Sequence, residues 1–102
     1  MKKLILLALF LLPLLTLSQT QLGSDIDGEA ASDYSGHSVS IDSDGSHVAI
    51  GAYGNDGNGS ASGHVRIYSW DGSAWAQVGN DIDGEAADDN SGRSVSIDSD
   101  GS

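Results

Sequence analysis

Between residues 36 and 79 apolar side chains alternate with polar ones in short runs. Val39 and Ile41 point one way, with Ser38 and Ser40 the other; Val48 and Ile50 flank Ala49, and Val65 and Ile67 flank Arg66. A period of two in β-branched runs predicts strands with one better-buried face. Asp44-Gly45 and Asp71-Gly72 separate these runs, and Asp-Gly between alternating segments is a strong hairpin signal. Four strands are predicted, near 36–42, 47–52, 63–70 and 74–79. Trp70 and Trp75 flank one turn closely enough to stack across it and fix its register. No segment has helical periodicity, so the expected class is all-β.

The same pattern returns further on. Residues 21–46 (QLGSDIDGEAASDYSGHSVSIDSDGS) and 77–102 (QVGNDIDGEAADDNSGRSVSIDSDGS) are identical at 21 of 26 positions, at an offset of 56. A period of this order marks propellers or solenoids, whose units bury their apolar faces against neighbours. We expect one full repeat over 19–79 and the start of a second, cut short, over 80–102, with further repeats of the same chain as the first partners. In a four-stranded antiparallel meander successive connections alternate between the two ends of the sheet. The tight turns 42–46 and 71–74 then share one end, and the longer loops 53–62 and 80–91 the other. The long-loop end should gather Asp56, Asp81, Asp83, Glu85, Asp88 and Asp89, with Asp25, Asp27, Glu29 and Asp33 from the first copy. Longer loops on a rigid scaffold carry function, so this acidic face is the expected binding surface.

The start of the chain is different in kind. Lys2 and Lys3 precede a run from Leu4 to Leu17 that is apolar apart from Pro13 and Thr16, and Thr16-Leu17-Ser18 supplies small residues for cleavage. Residues 1–18 read as a signal peptide, which implies a secreted or cell-surface protein with no membrane span after cleavage. Beyond residue 18 there remain 2 Arg against 15 acids and no Cys. Such a charge repels phosphate backbones and anionic lipid, excluding nucleic acid as a partner, and the lack of Cys excludes disulfides and thiol chemistry. Only 12 of the 84 remaining residues are Leu, Ile, Val or Phe. Composition alone would suggest disorder; the repeat argues for a fold.

Within the repeat, SGHSVS at 35–40, DSDG at 42–45, VAIGAY at 48–53 and GHVRIY at 63–68 together resemble an FG-GAP repeat. That family builds the β-propeller of integrin α-chains, so the resemblance implies a four-stranded antiparallel propeller blade. It covers nearly all of the chain beyond residue 18. Ser35 and Ser91 stand where the family has Phe, and Tyr53 where it has Pro. The family's calcium loop, D-x-[DN]-x-D-G-x-x-D, keeps its middle: Asp42 and Asp44 fall on ligand positions, while Ser40 and Val48 fall on the outer ones. Ca2+ is therefore the cofactor the resemblance brings in, with Asp42 and Asp44 as its candidate ligands. The bland alternative is a turn that favours Asp and Gly for their backbone preferences.

No catalytic residues are expected. His37, His47 and His64 read as surface residues on or beside strands, and no serine sits in a nucleophile elbow. The function expected is a non-catalytic module for adhesion or ligand binding through the acidic loop face, towards an extracellular protein or carbohydrate, with divalent cations as potential bridges. The alternative is an accessory propeller domain of a larger secreted enzyme whose catalytic part lies beyond residue 102.

Overall fold

The computed structural model describes residues 20–102, so the signal peptide expected over 1–18 lies outside the described residues. The chain folds into an antiparallel sheet of β1 (Ser38–Ile41), β2 (His47–Ala52), β3 (His64–Trp70) and β4 (Trp75–Gln77), in the order β1-β2-β3-β4, with β5 (Ile82–Asp83) added against β3. This is the expected all-β meander with one extra strand. β2 and β3 match their predicted spans to within a residue. β1 and β4 are shorter, because their outer residues turn away into loops.

The register explains the extra strand. Tyr68 pairs with Gln77 and Val65 with Ile82, so three steps along β3 are matched by five along the outer chain. Two surplus residues bulge out after Val78, whose N–H still reaches Ile67 O at 2.7 Å. β4 and β5 are thus one outer strand broken by a bulge. The DIDG segment at 81–84, belonging by sequence to the second copy, is stitched to the sheet of the first.

Alternation places Val39, Ile41, Val48, Ile50, Arg66, Tyr68, Trp70 and Trp75 on one face, and Ser38, Ser40, Ala49, Gly51, Val65 and Ile67 on the other. The second copy seats on the serine face. Ser38 Oγ donates to Gly92 O at 2.6 Å, Ser40 Oγ accepts from Ile97 N at 3.1 Å, and Ser43 N donates to Ser99 O at 3.0 Å. Gly51 permits this approach, since a Cβ there would run into the carbonyl of Gly92. The burial expected along β1 is therefore reversed. Val39 and Ile41 stay 59 % and 57 % exposed, while Ser38 and Ser40, which alternate with them, are half-buried under the second copy.

The interior is small and polar. Ala49 and Ala52 are its buried apolar residues, beside buried Asp33, Asp42, Asn55, Ser62 and His64. A chain this poor in aliphatics is held by paired polar groups, which stabilise only when each donor finds an acceptor. Trp70 and Trp75 meet across their turn at 5.4 Å between centroids, as the sequence predicts.

Candidate functional site

At the tight-turn end, Asp42 and Asp44 act as acceptors that close the hairpin. Asp42 Oδ1 accepts from the N–H groups of Ser46 (2.9 Å) and His47 (3.1 Å), and Oδ2 accepts from Ser46 Oγ and lies 2.7 Å from His47 Nδ1. Burial would raise the pKa of Asp42, but the hydrogen bonds from His47 and Ser46 outweigh it and hold the carboxyl at about 2. Asp44 Oδ1 accepts from both N–H and Oγ of Ser46. Calcium takes roughly six to eight oxygen ligands. Both oxygens of Asp42 are already engaged, Ser40 spends its Oγ on Ile97, and Val48 offers no side-chain oxygen. The side-chain oxygens of Asp42 and Asp44 alone are fewer than calcium takes, and the hydrogen bonds they make are those of a turn closed by its own amides.

The long loops come together at the other end. Asn58 Nδ2 donates to Gly84 O at 2.9 Å, Asp88 N to Ser60 O at 2.8 Å, and Asn90 N to Ala61 O at 3.0 Å. The first copy's loop joins them through Asn55 Nδ2, which donates to buried Asp33 at 2.7 Å, and through Gly54 N, which donates to Asp33 O. Asp56, Asp83, Glu85, Asp88 and Asp89 are exposed on this surface. Some have local duties: Asp56 accepts from Ala61 N and Asp89 from Ala86 N. Tyr34 stacks on Tyr53 at 5.1 Å and remains more than half exposed, while His37 meets the same ring edge-on at 4.9 Å. Arg93 lies over that ring at 5.8 Å. Tyr53, which replaces the proline of the resembled pattern, is the centre of this cluster.

The expected gathering of acids holds only in part. Asp25 and Asp27 lie with Ser73, Ala74 and Trp75 along a groove of about 300 Å³ towards the tight turn, because residues 22–27 run down the sheet past Trp70 and Trp75 before reaching the loops. Trp75 Nε1 donates to Leu22 O there at 3.0 Å. Glu29 ends that descent as an ion-pair partner of Arg66. Arg66 also grips Asp81, with Nε 2.7 Å from Oδ1 and Nη2 3.0 Å from Oδ2, and Gln77 donates to Asp81 Oδ1 at 2.7 Å. Hydrogen bonds from Arg66 and then Gln77 lower the Asp81 carboxyl to about 2, against the opposing effect of burial.

The histidines also depart from expectation. His37 is exposed, but His47 is locked to Asp42, and His64 is only 3 % exposed with its Nδ1 unpartnered. Period-two reading puts His64 on the same face as Arg66. What it could not show is that β5 would pair beside β3 at this position and that the ring would be buried.

Residues 24–68 match the FG-GAP repeat family. No curated protein and no solved structure shows significant similarity to the chain.

Proposed function

We propose that this chain, which carries an FG-GAP repeat at residues 24–68, is a non-catalytic secreted or cell-surface module that binds an extracellular protein or carbohydrate through its long-loop face. The observation that supports this is the surface itself. Exposed Asp56, Glu85, Asp88 and Asp89 lie on loops tied together by backbone hydrogen bonds, with exposed Tyr34 at the same end. Arg66 is turned inward between Glu29 and Asp81, so it does not neutralise these acids. A rigid anionic surface steers cationic partners, and that attraction weakens as salt shortens the screening length. A tyrosine face at its edge offers an apolar plate for a sugar ring or a basic side chain.

The test probes the full chain with a lysine-rich peptide and with a panel of neutral oligosaccharides. Peptide binding should fall at least severalfold between about 50 and 200 mM salt, and should be lost in the triple variant Asp56→Asn, Glu85→Gln, Asp88→Asn. Oligosaccharide binding, by contrast, should depend on Tyr34 and survive the triple variant. Failure of both probes to bind, or binding indifferent to the acids and to Tyr34, would overturn the reading.

A further inference from the structure

Where β3 of the first copy meets the DIDG segment of the second, three ligand-type side chains converge. His64, Asp81 and Asp83 each present one donor atom, all within 4.8 Å of one another. His64 opens β3 and its ring is almost wholly buried, yet Nδ1 has no hydrogen-bond partner and lies 3.8 Å from Asp81 Oδ2. That separation is too long for a hydrogen bond. A buried imidazole nitrogen without a partner is costly, and natural folds rarely leave one.

We propose that His64, Asp81 and Asp83 form a binding site for a divalent transition-metal ion at the junction of the two copies. Zinc–nitrogen and zinc–oxygen bonds of about 2.0–2.2 Å place tetrahedral ligand atoms roughly 3.4 Å apart, within a few tenths of the His64–Asp81 separation. The imidazole decides the class of metal: calcium and magnesium take oxygen ligands, whereas zinc and its neighbours accept a nitrogen with carboxylates.

Charge and orientation agree. Glu29 and Asp81 pair with Arg66, and Asp83 clusters with Asp81 and His64, so three negative charges meet one positive and two are left for a divalent ion to neutralise. Asp81 Oδ1 is occupied by Arg66 and Gln77, while Oδ2 accepts from Arg66 alone and keeps a lone pair on the side near His64. Arg66 and Gln77 therefore act as the outer partners that orient a ligating carboxylate. Asp83 is supplied by β5 and lies over Gly57, where a Cβ would come 3.7 Å from its Oδ1. The first copy provides an internal control: Gln21 donates to Asp25 at 2.8 Å as Gln77 does to Asp81, but neither Asp25 nor Asp27 belongs to a cluster of three ligand-type side chains among the described residues.

The competing reading is an imidazole buried beside Asp81 with no ion bound. Equilibrium dialysis of the full chain against micromolar Zn2+, with the histidine nitrogen resonances followed by NMR, separates the two. We expect one Zn2+ per chain, a shift at His64 Nδ1, and no displacement by excess Ca2+. Loss of one ligand in Asp83→Asn, an exposed change that spares the fold, should weaken binding at least about tenfold, as should His64→Gln. Asp27→Asn should leave it unchanged. The proposal is overturned if the wild-type chain takes up no stoichiometric Zn2+, if Asp83→Asn binds as tightly as wild type, if Asp27→Asn weakens binding equally, or if the shift appears at His47 instead.

Discussion

Residues 38–46 and 94–102 have the same nine-residue sequence, SVSIDSDGS, and take different structures. In the first copy Ser38–Ile41 is a strand paired with β2; in the second the equivalent residues belong to no strand. The turns that follow are nevertheless alike. Ser46 donates from N (3.0 Å) and Oγ (2.6 Å) to Asp44, and Ser102 does the same to Asp100 at the same two distances. The preceding loops also repeat, with positive φ at Ser32 and Asp88 (66° and 65°) and at Tyr34 and Asn90 (58° and 55°). Turns and loops are thus written locally, in Asp, Ser and Gly. A strand is written only jointly, by a segment and its neighbour.

Burial separates the copies further. Asp33 is covered and hydrogen-bonded by Asn55, whereas its counterpart Asp89 is exposed and accepts from the nearby Ala86 N–H. The largest expected effect follows from that contrast. Asn55→Leu removes the donor to buried Asp33 and the acceptor for Gly57 N, leaving both without partners. Unfolding in urea should show a loss of about 3 kcal/mol. Asp89→Asn in the second copy should change stability by less than about 0.5 kcal/mol. Equal losses from the two would mean that both loops are equally buried in solution.

The sequence made the strands, the Asp-Gly turns, the tryptophan pair and the repeat legible, because each rests on near neighbours. It misjudged what long-range packing decides. Val39 and Ile41 read as a buried face, but the second copy settles on the serines, where Ser38 and Ser40 can hydrogen-bond to its backbone. His64 read as a surface residue because nothing in GHVRIY shows that Ile82 and Asp83 will pair back beside it. Asp42 and Asp44 could be read either as cation ligands or as turn residues, because a calcium loop and a self-closed turn use the same residue types. The Ser46 and His47 amides, which donate to these carboxylates, show the turn hydrogen bonds that the residue types alone do not.

Contact between the copies itself can be broken at Gly51. Gly51→Ala places a methyl group against the carbonyl of Gly92 and 2.6 Å from Ser38 Oγ, so backbone must move. A cost of about 2 kcal/mol is expected. Amides of residues 92–99 should lose hydrogen-exchange protection before those of β2 and β3. If β2 opens together with the second copy, the two are one cooperative unit and the contrast between them is only one of secondary structure.

The mildest test is acid. Asp42 ionises at about 2 in the folded chain against 3.8 ordinarily, so folding favours its charged form. The group binds fewer protons folded than unfolded between those values, and its contribution to stability is therefore complete above pH 3.8 and lost as the pH falls towards 2. His47→Ala removes one of the donors that lower the value and should move the Asp42 carboxyl resonance midpoint upward, followed by carbon-13 NMR. Asp71, in the other tight turn, is also held below its ordinary value, but by hydrogen bonds from Ser73 and Ala74. Its midpoint should be indifferent to the same substitution. A shift at both aspartates would show that His47 acts on them through the field of the whole molecule, whereas a shift at Asp42 alone assigns the depression to the hairpin's own hydrogen bonds.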